Sequence, residues 1–274
     1  MNRKYSAVCL AAALATSLAG CGGSTGGSST SPGLSATPAV PAAPLAPVVT
    51  TTPTTPTTPT TPTTPVVAGT TSFPLQQAYS RRLASGYDET YAVTTVNNPG
   101  GECVGTAHLT GTPATTRTTF EGVPAFAQMQ TATVHFTNCT PADSVDQGTA
   151  YFNASNYAFI GSEVANGYAY NVGTVPLPLA VEVGARGAYT ILAAVPSASL
   201  KTTVTGRRDI DYVVEAGTTS DTAIVNLITH IYSVTSATPF YTEQLRYRID
   251  TAANFTPVSG DLLYGNGLHL SLTR

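Results

Sequence analysis

The sequence predicts a mainly β fold, an antiparallel β-sandwich or soluble β-barrel of about 10–12 strands, with one short N-terminal helix and a disordered linker before it. Three observations lead there. From about Thr70 onward the chain is rich in Thr, Val, Tyr and Ile and is cut by Gly and Pro at short intervals. Several runs in that region alternate apolar and polar residues with the period of two that a half-buried strand requires. Between Ser24 and Pro65, by contrast, there is no charge and no aromatic ring, so little offsets the entropy of ordering.

The chain therefore divides into a signal peptide over 1–20, a lipidated N-terminus and linker over 21–69, and a single β-rich domain over 70–274, long enough for one core. Met1–Lys4 is basic, and Val8–Leu18 is an apolar run too short to span a bilayer that leads into small residues. The junction Leu18-Ala19-Gly20-Cys21 resembles the lipobox of bacterial lipoprotein signal peptides. The resemblance covers residues 1–23. It implies that Cys21 becomes the acylated first residue of the mature chain and that its acyl chains partner the lipid bilayer. Gly22 stands where relatives kept in the inner membrane tend to carry Asp, so the resemblance implies the outer membrane, with the domain facing the periplasm or the cell surface. Each buried methylene contributes ~0.8 kcal/mol, so several acyl chains anchor firmly where one holds marginally. The alternative is an unmodified thiol after ordinary cleavage.

A Gly/Ser/Thr stretch to Ser31 and a Pro/Ala stretch to Pro47 then lead into TTTPTTPTTPTTPTTP, from Thr50 to Pro65. Proline at every third residue matches the polyproline II turn, and at ~3.1 Å per residue the tract reaches ~50 Å. Reach is the property this composition supplies.

At the start of the domain, SFPLQQAYSRRLASG places Pro74 in a first turn, sets Leu75, Tyr79 and Leu83 four apart, and stops at Gly86. This predicts a short amphipathic helix lying on the sheet, with Arg81 and Arg82 at least partly solvated. Later, Tyr241, Leu245, Tyr247 and Ile249 share one strand face and Thr242, Gln244, Arg246 and Arg248 the other. Ile210, Tyr212 and Val214 likewise oppose Asp209, Asp211 and Glu215, and Leu268, Leu270 and Leu272 oppose His269, Ser271 and Thr273. AIVNLITHIYSV, from Ala223, is apolar on both parities and reads as a central strand covered on both faces. Asn98-Pro99-Gly100-Gly101 marks a hairpin, and VPLPLAVEV places Pro176 and Pro178 at a strand start or edge. A membrane-spanning barrel is disfavoured, because there are no regular segments of about ten residues with aromatic girdles at both ends.

Overall, 12 basic residues stand against 15 acidic, a net charge of −3, and removal of Arg3 with Lys4 makes it −5. No basic stripe exists to displace counterions, so nucleic acid is not an expected partner. With Cys9 in the leader and Cys21 lipidated, Cys103 and Cys139 remain as an even pair in an exported domain, which predicts a disulfide over free thiols.

His108, His135 and His269 fall on polar parities and are expected in solvent, whereas His230 shares parity with Ile228 and Tyr232 and is expected as a buried, hydrogen-bonded imidazole. Arg207, Asp209 and Asp211 share one strand face and read as an ionic ladder, while Asp143 and Asp146 read as turn formers. There is no GxSxG, SASLK has the wrong spacing for SxxK, and no metal or cofactor motif is found. If the domain carries a chemical site, the candidates are His230, His135, Asp209 and Asp211. The expectation is a non-catalytic domain that binds or scaffolds an envelope protein or glycan. The alternatives are an envelope hydrolase and a barrel that holds a small apolar ligand against Tyr212, Tyr232 and Tyr247.

Overall fold

The computed structural model describes residues 71–98, 101–139, 143–165 and 167–274. The signal segment, Cys21 and the Thr/Pro tract lie outside these residues. One helix, α1 (Leu75–Ser85), precedes strands β1 (Tyr87–Asn97), β2 (Val104–Gly111), β3 (Thr116–Phe120), β4 (Val123–Phe136), β5 (Asp143–Asn153), β6 (Phe159–Val164) and β7 (Gly167–Thr174). They continue with β8 (Arg186–Val195), β9 (Gly206–Ala216), β10 (Thr222–Ser233), β11 (Tyr241–Asp250), β12 (Phe255–Tyr264) and β13 (His269–Thr273).

Neighbouring strands pair antiparallel, and β13 returns to pair with β1, so twelve strands close a barrel and the sandwich alternative falls away. β3 continues the line of β2 after a break at 112–115, and both pair with the long β4. The β3–β4 hairpin turns through Glu121 and Gly122, both at positive φ (53° and 78°), as a twist-matched two-residue turn requires. Phe120 then stacks on Tyr151 and Tyr168 of the outer wall.

A ring of twelve strands tilted by about 40° has a backbone radius of about 12 Å, too wide for wall side chains alone to fill. The helix supplies the missing volume. Leu75, Ala78, Tyr79, Arg82 and Leu83 recur at helical spacing on one face, and Tyr79, Arg82 and Leu83 project into the lumen. Tyr79 meets the rings of Tyr189 and Phe255 edge-on, at 5.9 and 6.3 Å. Loops at that mouth strap the helix down: Gln76 Nε2 donates to the Leu177 carbonyl, Arg81 Nη1 to that of Ala252, and Ala114 N to that of Leu83. Gly86 ends the helix at φ 72°, and a Cβ there would stand 2.5 Å from the Gly111 carbonyl.

The Cys103–Cys139 disulfide bridges the residues just before β2 and just after β4, with Cα atoms 5.6 Å apart. The outer wall is predominantly polar, carrying Asp88, Thr90, Thr94, Thr106, His108, Thr131, Thr133 and His135.

Several expectations are corrected. Arg82 is not solvated: its side chain is 11% exposed and pairs with Glu89 inside the barrel. Residues 175–185 form the connection between β7 and β8, whose one β-bridge runs from Phe73 to Val181, so Pro176 and Pro178 stand in no strand. β10 faces the core on its inner side, but a barrel wall has no second layer over it, so on the outer side only Asn226 is buried while Ile224, Ile228 and His230 are half-buried. Tyr232 faces outward with the Arg207 guanidinium 4.5 Å from its ring centre, while Asp143 and Asp146 lie in β5.

Candidate functional site

The barrel interior holds two arginine–glutamate couples, and alternation puts them there. Glu89 has the parity of Tyr91 and Val93, Arg208 that of Ile210, and Glu243 that of Tyr241 and Leu245, so all three point inward with the apolar set.

The first couple is closed. Arg82 Nη2 lies 2.7 Å from Glu89 Oε1, Tyr91 donates its hydroxyl to Glu89 Oε2 at 3.0 Å, and the Arg82 guanidinium stands 3.7 Å above the Tyr87 ring. Burial pulls the Arg82 guanidinium down, but the Tyr247 phenol, Glu89 and Tyr87 more than offset this and hold it above its ordinary value. Burial and the Glu89 charge push the Tyr91 phenol up.

The second couple is open. Arg208 and Glu243 are each 2% exposed, yet no nitrogen of Arg208 comes within ion-pair distance of Glu243. Pairing explains the offset: Arg208 lies opposite Ile231 and then Tyr241, whereas Glu243 lies opposite Thr229 and then Ile210, one inward step along the wall. Glu243 accepts the Tyr241 hydroxyl at 3.0 Å. Burial raises its carboxyl to about 8, against the Tyr241 bond and the Arg208 charge, which lower it. Burial lowers Arg208 to about 10, so it remains charged at neutral pH. Its Nε and Nη1 have no hydrogen-bond partner among the described residues.

Arg82, Arg208 and Glu243 line one cavity, together with Gln130, Tyr189, Thr229 and Leu245. It offers about 70 Å³ to the centres of water-sized spheres, room for a few small molecules and well below the several hundred Å³ of an ordinary ligand pocket. The raised Glu243 carboxyl has a consequence for stability. A carboxyl with a folded value near 8 and an ordinary value of 4.5 adds stability that is complete below about pH 4.5 and is lost as pH rises through 8. Between those limits the loss from this group is about 1.4 kcal/mol per pH unit. Glu243→Gln should flatten that slope, read as the denaturation midpoint from pH 5 to 8.5; midpoints that run parallel to wild type would show that Glu243 does not titrate this way.

The candidates drawn from sequence lie on the outer wall. His230 directly faces Asp209 across the β9–β10 pair and takes part in a 3.0 Å hydrogen bond through Nδ1 with Thr242 Oγ1. Burial raises Asp211, with His230 lowering it and Asp209 raising it. Asp209 pairs with Arg207 at 2.9 Å, as the ladder reading requires. His135 is not part of this group; it lies on β4, 2.6 Å from Asp143. His108 and Asp88 form a similar outward pair at 2.7 Å, and His269, expected in solvent, is half-buried against Asp261 at 2.9 Å. Among the described residues no group of three His, Cys, Asp or Glu side chains has metal-binding geometry. Alternation, already used to place Ile210 and Tyr241, was the signal for Arg208 and Glu243, which sequence reasoning passed over. No family model, no curated protein and no solved structure matches this chain.

Proposed function

We propose that this chain is an outer-membrane lipoprotein, anchored through Cys21, whose barrel is a non-catalytic module that binds or scaffolds a protein or glycan of the cell envelope. The observation that carries the reading is the filled lumen: helix, aromatic rings and paired charges leave about 70 Å³, so recognition of anything larger falls to the outer surface. That surface is rich in Thr and poor in charge, which suits contact with glycan or protein. Carriage of an apolar ligand beside Tyr212 and Tyr247 fits a small, charge-lined cavity poorly.

Mass spectrometry of the mature N-terminus should find Cys21 acylated, and a water-partitioning form with unmodified Cys21 would remove the anchor. Crosslinking in intact cells should capture a defined envelope partner. The hydrolase reading draws on one observation, His230 beside Asp209 and Asp211. It would replace the binding reading if the purified protein cleaved a peptidoglycan, ester or glycoside substrate and His230→Gln abolished the cleavage while crosslinking captured nothing.

A further inference from the structure

We propose that the lumen cavity is a binding site for a small, singly charged oxyanion that carries a hydroxyl, of which bicarbonate is the smallest example. Arg208 supplies the charge. Its side chain is buried, the residue lines the cavity, and Nε and Nη1 lack partners, so two N–H donors of a charged guanidinium have no protein acceptor among the described residues. In the neighbouring couple Glu89 stands 2.7 Å from Arg82 Nη2 and only Nε of Arg82 is left buried without a partner, whereas Arg208 has two such nitrogens and no carboxylate in contact. Glu243 does not pair with Arg208 in this way, because strand register holds it one step away and its Oε2 is engaged by Tyr241. An oxyanion offers this guanidinium a charge-assisted acceptor, although Nε–H and Nη1–H leave from different edges and do not form one parallel pair.

The hydroxyl follows from Gln130. Gln128 Nε2 donates to the carbonyls of Thr112 and Leu83, at 2.7 and 3.3 Å, which fixes Gln128 Oε1 as an acceptor; Gln130 Nε2 donates to it at 2.8 Å. Gln130 Oε1 is therefore an acceptor, and it too is buried without a partner in a residue that lines the same cavity. A bare halide would leave it unsatisfied, whereas an anion with an O–H carries a donor for it. The cavity volume limits the ligand to a few heavy atoms.

The test uses the purified full chain at pH 7.5 in sealed cells, titrated with sodium bicarbonate against sodium chloride of equal ionic strength. Bicarbonate should raise Tm saturably, by about 3–6 °C at ten times Kd. The ¹³C resonance of labelled bicarbonate should broaden on adding protein. Both effects should disappear in Arg208→Gln and be weakened in Arg208→Lys, which keeps the charge and loses the guanidinium donors; Arg246→Gln, on the outer wall, should retain them. If bicarbonate does no more than chloride on the wild-type protein, the cavity holds water only and the proposal fails, whatever the variants do. A bicarbonate effect that survives in Arg208→Gln would equally overturn it. Neither result bears on lipidation or partner capture.

Discussion

Glu89→Ala is expected to lower stability by about 3–5 kcal/mol, because removing one partner of a buried ion pair leaves the other charged and uncompensated. Arg82 is the residue left behind. Its side chain is 11% exposed and loses the 2.7 Å contact to Glu89. The Tyr91 hydroxyl loses its acceptor in the same step. For a domain of about 200 residues this corresponds to a drop in Tm on the order of 10 °C. The informative comparison is a double-mutant cycle with Arg82→Met, since an apolar replacement of both partners removes the stranded charge and should recover part of the loss. Singles that add without coupling would mean that the pair is not a unit. The cost also has a structural direction: the helix end should exchange its amides first, because Arg82 ties α1 to β1.

The second large effect concerns the disulfide. Replacing Cys103 and Cys139 with Ser is expected to cost roughly 3.5–4 kcal/mol, the chain-entropy value for a closed loop of this length. The bridge flanks β2 and β4, and the loop it closes contains the break between β2 and β3 and the β3–β4 hairpin. Chemical denaturation with and without reductant checks this. The denaturant dependence should also steepen on reduction, since the unfolded chain is released to a more expanded ensemble. Equal midpoints in both conditions would mean that the bond is absent or that the native ladder makes it dispensable.

Much of the wall was legible from alternation. The faces of β9, β11 and β13 follow directly from the period of two, and the helix follows from Leu75, Tyr79 and Leu83 with Gly86 behind them. Less was legible in β10, where Ile224 and Ile228 lie on the outer parity and the run looks covered on both sides. The site was the least legible part. Outward residues such as His230, Asp209 and Asp211 invite a chemical reading, because polar side chains gather on a polar face. Arg208 and Glu243 stand on the apolar parity, where a charge is expensive.

By itself, the sequence determined the β class, the short helix over Leu75–Ser85 and which residues of the clearest strands share a face, because these depend on local periodicity and on turn residues. Ring closure was decided only in three dimensions. It rests on β13 meeting β1, a pairing between the two ends of the domain that no local pattern encodes. The same closure turned a helix expected on the sheet into a plug, since a twelve-stranded ring is too wide for its own side chains to fill. It also converted Arg82 from a surface charge into a buried partner of Glu89 and left Arg208 facing an unfilled space, because strand register sets which inward charges meet and which stand one step apart.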